Sequence, residues 1–185
     1  ASADRECRQL ERRALRRSPN AFIAVVGCYA QLQAEQLAAI QGVDLVLGSQ
    51  DKLSLFNVIN SRKKKIRADI LVSCIDETKE FGLASSAGFE KRTRAFLKVQ
   101  DGCDYSCTYC TVPLARGKSK SAVIPEIIRQ AREAVELGYK EVVLTGVNVG
   151  DYGRSDGTNL LMLLKQLTTV DGLMRIRISS IEPNL

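Results

Sequence analysis

Three cysteines, Cys103, Cys107 and Cys110, fall within eight positions in the stretch QDGCDYSCTYC, and the chain has no histidine. Clustered thiolates are ligands for zinc or iron–sulfur centres. Structural zinc takes four ligands in paired spacings such as C-x2-C and H-x3-H; here one C-x2-C exists, and only the distant Cys7, Cys28 and Cys74 are left to complete a set. Electron-transfer iron–sulfur clusters also take four cysteines. A C-x3-C-x2-C loop supplies three, which leaves one iron of a cubane without a protein ligand, as catalytic zinc keeps an open position. Such an iron can bind a substrate and pass it an electron. Zinc held with a thiolate from elsewhere is the alternative.

The elements that must position this loop follow from periodicity. TRAFLKVQ reads as a strand ending just before the cysteines. PEIIRQAREAVELG reads as a helix with Pro125 in its first turn and Gly138 at its end, KEVVLTGVN as a strand, TNLLMLLKQLTTV as a helix and LMRIRISSIEP as a third strand. This βαβαβ order opens either a doubly wound sheet or a (β/α) barrel, and in both the chemistry sits at the carboxyl ends of the strands. A full barrel needs more strands than these.

The first part of the chain has the same alternation. ECRQLERRALRR is expected to be a helix burying Ala3, Cys7, Leu10 and Ala14; AFIAVVGC and VDLVLGS are expected strands. AQLQAEQLAAI is expected to be one helix with Ala34, Leu37 and Ala38 inward, and a helix near DKLSLFNVINS has Asp51 as its expected cap. RKKKIR is a charge run, ADILVSCI one more possible strand, and GLASSAGFEKR has loop composition. The expected division is a domain over 1–67, a linker over 68–91 and a second domain over 92–185.

Composition narrows the class. The chain is 45% hydrophobic and 26% charged, as in globular proteins, and six cysteines in 185 residues are too sparse for a disulfide-built miniprotein. The apolar stretch AFIAVVGCYA is too short to span a bilayer and no leader opens the sequence, so no membrane partner and a cytoplasmic address are expected. IEPNL stops without a closing element, which predicts a fragment of a longer polypeptide. Residues 1–67 hold 12 Lys and Arg against 6 Asp and Glu, while the remainder is balanced at 15 of each. The net charge of +6 thus sits in the first third, which favours an anionic partner such as nucleic acid or else makes a solvated basic surface.

The motif C-x3-C-x-aromatic-C, with Tyr109 as the aromatic, resembles that of radical S-adenosylmethionine (SAM) enzymes. TRAFLKVQDGCDYSCTYCTVPLARGKSKS, EVVLTGVNVGDYG and RIRISSIEP together resemble the methylthiotransferases, as do GCYAQ and VDLVLGS their N-terminal domain. The wording is most like the members that act on N6-threonylcarbamoyladenosine in tRNA. Relatives act on isopentenyladenosine or on a ribosomal protein.

The resemblance implies an α/β chain: a Rossmann-like N-terminal domain followed by the first half of a radical SAM (β/α) partial barrel. It implies a [4Fe–4S] cluster on Cys103, Cys107 and Cys110, with SAM chelating the open iron and a 5′-deoxyadenosyl radical formed from it. An electron donor is implied too; the oligomeric state is not. The intact enzyme holds a second [4Fe–4S] cluster, for which Cys28 matches the last of three ligands. Cys7 and Cys74 are read as packing.

Gly146 and Asn148 occupy the place where the superfamily holds the amino group of SAM, although GVNVGDYG fits no phosphate-loop spacing. Ser180 and Glu182, at the end of the third strand, are candidates for contacts to the nucleoside or methionyl group. Tyr109 joins them as cofactor-binding by resemblance. Arg116, Lys118 and Lys120 are candidates for tRNA phosphate contacts, with RKKKIR as a possible extension. No residue is assigned a catalytic role. A non-catalytic, metal-stabilised RNA-binding module is the rival reading.

Overall fold

The computed structural model describes residues 2–59, 63–75, 81–88 and 93–182. The chain is α/β and divides into two compact units, one of residues 1–78 with 114–116 and one of residues 79–113 with 117–185.

In the first unit, helix α1 (Ser2–Arg17) precedes a parallel sheet of three short strands, β1 (Ala24–Val26), β2 (Leu45–Leu47) and β3 (Asp69–Leu71), in the order β1-β2-β3. Val25, Val46 and Ile70 are register partners across it. The apolar runs AVV and LVL supply strands that need cover on their faces, as parallel sheets do. Leu37 and Ala30, both fully buried, supply it from α3 (Ala34–Ala38) and α2 (Cys28–Leu32). One helix was expected here; the backbone breaks at Gln33 (φ −140°), although Ala34, Leu37 and Ala38 face inward as the periodicity predicts.

The stripe that α1 buries is also displaced from expectation. Leu10 is 56% exposed and Ala3 is exposed, whereas Glu11 is 6% exposed, one turn after the half-buried Cys7. The Cys7 thiol donates to Glu11 Oε1 at 3.2 Å. Burial, helped by that carboxylate, pushes the Cys7 thiol up to about 11. It therefore stays a thiol at neutral pH and packs against the core of the first unit.

Asp51 does not cap its helix. It opens a 3₁₀ turn (Asp51–Ser54) ahead of α4 (Leu55–Val58), and its carboxylate instead accepts from Ser73 N at 2.9 Å and Ser73 Oγ at 2.6 Å.

The charge run is partly internal. Asp44 is completely buried and accepts from Ile23 N (2.8 Å), Lys65 N (2.6 Å) and Lys64 Nζ (2.9 Å). Lys64 also donates to the carbonyls of Ala21 and Gly42. Burial opposes ionisation of Asp44, but the two amides and the ammonium outweigh it and hold its carboxyl below the usual range. Lys64 is thus a docked strap rather than a solvated linker cation, and Lys65 pairs with Asp69.

In the second unit, β4 (Ala95–Lys98), β7 (Glu141–Thr145) and β8 (Arg175–Ile178) form a parallel sheet in the order β4-β7-β8. Between them come β5 (Gln100–Asp101), the short helix α5 (Val112–Arg116), β6 (Lys120–Ser121) and α6 (Ile124–Glu136). Pro125 stands in the first turn of α6, Gly138 follows it at φ 90°, and Ile124, Ile127, Ile128, Ala131 and Ala134 are buried at helical spacing. Helix α7 (Leu160–Leu167) is capped by Asn159, which accepts from Met162 N at 2.9 Å, and buries Leu163 and Leu167. These side chains close one core with Leu97, Val142 and Leu144.

The stretch expected to be linker is shorter than 68–91. Residues 69–71 are β3 of the first sheet. In the second unit, Lys98 N donates to Ala84 O and Ser86 N to Phe96 O, each at 3.0 Å, so the loop-like composition of 84–86 hides an antiparallel edge on β4. Serine and alanine carry no period-2 signal to reveal it.

Candidate functional site at the carboxyl edge of the second sheet

Parallel strands end on one edge, and three segments emerge there together: residues 99–110 after β4, 146–151 after β7 and 179–182 after β8. The cysteine loop is closed at its base. Strands β5 and β6 pair antiparallel with Gln100 opposite Ser121 and Asp101 opposite Lys120. Cys103 N donates to Gly117 O at 3.1 Å, and Ser119 N to Asp104 Oδ1 at 3.0 Å. Gly102 has φ 74°, and a Cβ there would stand 2.1 Å from the Lys118 carbonyl oxygen, so only glycine fits before Cys103.

Gln100 is the residue that sequence reasoning missed. Fully buried, its Oε1 accepts from Val147 N (2.8 Å) and Asn148 N (2.9 Å). Its Nε2 faces the carbonyls of Gly102 (2.8 Å) and Asp101 (3.2 Å) and the Ser119 hydroxyl (3.0 Å). One amide therefore ties the cysteine loop to the loop after β7. Gly146 is forced by the same contact: a Cβ would lie 2.7 Å from Gln100 Oε1. The available signal was a lone polar residue directly after a buried strand.

A pocket of about 380 Å³ opens at this edge, lined by Cys103, Tyr105, Cys107, Tyr109, Cys110, Val147, Asn148 and Glu182. Six residues named from the sequence thus share one cavity: the three cysteines, Tyr109, Asn148 and Glu182. Cys107 is exposed, Cys103 and Cys110 half-buried, and Cys110 N closes a turn onto Cys107 O at 3.0 Å. The Tyr109 side chain is exposed on the wall.

The other candidates lie elsewhere. Gly146 backs onto Gln100. Ser180 is exposed at φ 52°, and its contribution is a carbonyl that accepts from Val149 N at 2.9 Å. Lys118 is exposed; Lys120 is half-buried in β6, where burial lowers its pKa against the opposing pull of Asp101. Arg116 ends α5, half-buried. Cys28 belongs to the first unit, as the half-buried first residue of α2 after Gly27 (φ 110°). Cys74 is exposed beyond β3. A larger pocket of about 880 Å³ in the first unit is lined by residues such as Ile40, Val43, Lys65 and Arg67, the last two from the RKKKIR run, and holds none of the candidate cluster or cofactor residues.

Asn148 carries the one polar anomaly of the site. It is 3% exposed, its Nδ2 donates to Asp151 Oδ2 at 3.2 Å, and its Oδ1 has no partner among the described residues. An orphaned buried acceptor costs about 1–3 kcal/mol. Arg154 Nη1 extends the chain of contacts, donating to Asp151 Oδ1 (3.2 Å) and to the Tyr105 hydroxyl (3.3 Å) of the cysteine loop. Those two acceptors raise the Arg154 pKa above the usual guanidinium value.

Among the described residues no three Cys, Asp or Glu side chains converge on a point that would hold one metal ion. The cysteines stand instead around a cavity of small-molecule size, with Asn148 and Glu182 on its lining. That donor set fits a three-thiolate cluster with an amine-bearing ligand beside it. Among the described residues no helix is long and apolar enough to cross a membrane.

Residues 97–185 match the radical SAM superfamily, whose members in general use SAM and a [4Fe–4S] cluster. Over 183 residues, 98% of the chain, it is 42% identical to the threonylcarbamoyladenosine tRNA methylthiotransferase MtaB of Bacillus subtilis, covering 41% of that protein. The protein of the same name from Aquifex aeolicus is 38% identical over 96% of the chain, with 43% of its own length covered. The tRNA-2-methylthio-N(6)-dimethylallyladenosine synthase of a Sulfurihydrogenibium species is 36% identical over 90% of the chain and 38% of its own. The chain spans about two fifths of the length of these relatives. A cysteine triplet at the carboxyl edge of a parallel sheet, and likeness to methylthiotransferases along nearly the whole chain, agree in supporting a radical SAM methylthiotransferase.

Proposed function

We propose that this chain is the cofactor-binding part of a transferase that methylthiolates threonylcarbamoyladenosine in tRNA. The carrying observation is the pocket that Cys103, Cys107 and Cys110 line together with Asn148 and Glu182. In this reading the three thiolates hold a [4Fe–4S] cluster and leave one iron for the amino-acid end of SAM. When bound, that cluster supplies one electron to the SAM sulfonium. Asn148 stands beside the SAM amino group, the Tyr109 ring is available to the adenine face, and Glu182 is the acidic group available to the amino N–H or the ribose hydroxyls. Gln100 holds the two loops in register while the ligand enters. Gly146 serves by letting Gln100 approach, and Ser180 by its carbonyl.

The threonylcarbamoyl substrate is favoured by the relatives of that name at up to 42% identity, against 36% for the dimethylallyladenosine relative. The fold that accompanies this function is a Rossmann-like first unit and the first half of a (β/α) barrel. Cys28 is one ligand of a second cluster. Lys118, Lys120 and Arg116 contribute phosphate contacts to tRNA, and the site of action is the cytoplasm.

Anaerobic reconstitution with iron and sulfide tests the reading. A brown chain that releases 5′-deoxyadenosine from SAM upon reduction supports it. A colourless chain that retains zinc and binds RNA supports the non-catalytic module instead.

A further inference from the structure

We propose that the larger pocket of the first unit is a seat for RNA backbone, with Lys65 and Arg67 as its phosphate contacts. The proposal rests on the reading of the chain as part of a tRNA-modifying enzyme and adds a contact surface outside the cysteine-bearing unit.

The pocket, of about 880 Å³, has two walls fastened to one turn. The first wall is the end of α1, where Leu15 and Pro19 line the pocket. Leu15 packs so closely on Gly42 that a Cβ there would lie 2.7 Å from Leu15 Cδ2. Between the two lining residues stand Arg16 and Arg17, both exposed. The second wall is residues 64–67, which Lys64 fastens by donating to the carbonyls of Ala21 and Gly42. Ile40 and Val43 add apolar lining, and Glu35 is the one acidic lining residue against Lys64, Lys65 and Arg67.

Blocks of like charge are ordinarily disordered. Here a completely buried carboxylate removes that freedom. Asp44 accepts from the Lys65 amide at 2.6 Å and from Lys64 Nζ at 2.9 Å. The backbone that carries Lys65 and Arg67 is thus held while their side chains stay exposed. Lys65 pairs with Asp69 at the surface, and such a pair is too weak to exclude a phosphate. Cations on a held backbone lose less freedom on binding than cations on a loose linker. A cationic rim with apolar lining therefore complements a chain of phosphates joined by sugars.

Filter binding of substrate tRNA to the chain across a salt series tests this. Lys65→Ala with Arg67→Ala removes two phosphate contacts; it is expected to weaken binding about tenfold near about 0.1 M salt and to lower the salt slope by about 1.5. Lys140→Ala with Lys165→Ala removes the same charge from exposed positions of the second unit and is expected to change affinity less than about twofold. Equal effects of the two pairs, or no effect of the first, overturn the proposal. Arg67→Glu alone is the companion should the first pair fold poorly, and unchanged affinity in it overturns the proposal equally. Polyglutamate titrated in the same way separates the partners: an equal or larger loss for polyglutamate in the Lys65 and Arg67 pair assigns the pocket to acidic protein instead. Wild-type chain that binds no tRNA sinks the tRNA reading itself. Loss with Lys118→Ala but not with the Lys65 and Arg67 pair keeps that reading and removes the pocket from it.

Discussion

Gln100 Oε1 lies 2.9 Å from the backbone nitrogen of Asn148, although the two residues are 48 positions apart in sequence. The same side chain donates to the carbonyl of Gly102, next to the first cysteine of the motif. The cysteine loop and the loop after β7 therefore hang on a single buried amide.

Removing that amide is expected to be costly. Gln100→Ala leaves Val147 N, Asn148 N and the Gly102 carbonyl without their partner, and each unmet buried group costs about 1–3 kcal/mol. A loss of about 3 kcal/mol or more in urea unfolding is expected. Fluorescence- or CD-monitored denaturation checks it, and a loss below about 1 kcal/mol would falsify the keystone role.

The cysteines separate into two kinds. Cys107→Ala is expected to abolish iron binding at the pocket, because two thiolates cannot retain the cluster that three hold. Cys7→Ala is expected to leave the iron content unchanged, since that thiol is pushed up to about 11 and packs against the first core. Colorimetric iron and sulfide assays on both variants decide; full iron in Cys107→Ala contradicts the assignment.

Asp44 links stability to acid. Its carboxyl is held below the ordinary value in the folded unit, so the unfolded state binds a proton more readily. The stabilisation is thus fully present above the unfolded pKa of about 3.9 and is lost as pH falls through the folded value. Asp44→Asn strands the Lys64 ammonium and is expected to cost about 3 kcal/mol at pH 7. Denaturation midpoints between pH 7 and pH 2 should fall less steeply for the variant than for the wild type over the acid end. Parallel curves rule the linkage out.

Affinity for tRNA is expected to fall steeply with salt if lysines and arginines contact phosphates. Lys118→Ala should weaken binding and reduce the salt slope by about one. Filter binding across a salt series measures both, and a flat salt response removes the phosphate contacts from the reading.

Several features of the fold were legible because they are local. The buried stripe of α6, its entry at Pro125 and its exit at Gly138 are set by side chains within a few residues of one another. The face buried by α1 was not legible, because Glu11 and Leu10 exchange places according to where the sheet lies. Asp51 looked like a cap, and it turned out to hold Ser73 from across a strand end. Lys64 looked solvated within RKKKIR, yet a buried carboxylate 20 positions away claims it.

The motif spacing by itself determined which thiols could act together, since C-x3-C-x2-C keeps three sulfurs within one short loop whatever surrounds it. The βαβαβ rhythm determined that this loop would stand at the carboxyl edge of a parallel sheet. Only the tertiary structure decided that Gln100, Asp151, Arg154 and Tyr105 belong to the same site. They meet because parallel strands bring distant loops to one edge, and hydrogen bonds between segments leave no periodicity in the sequence to read.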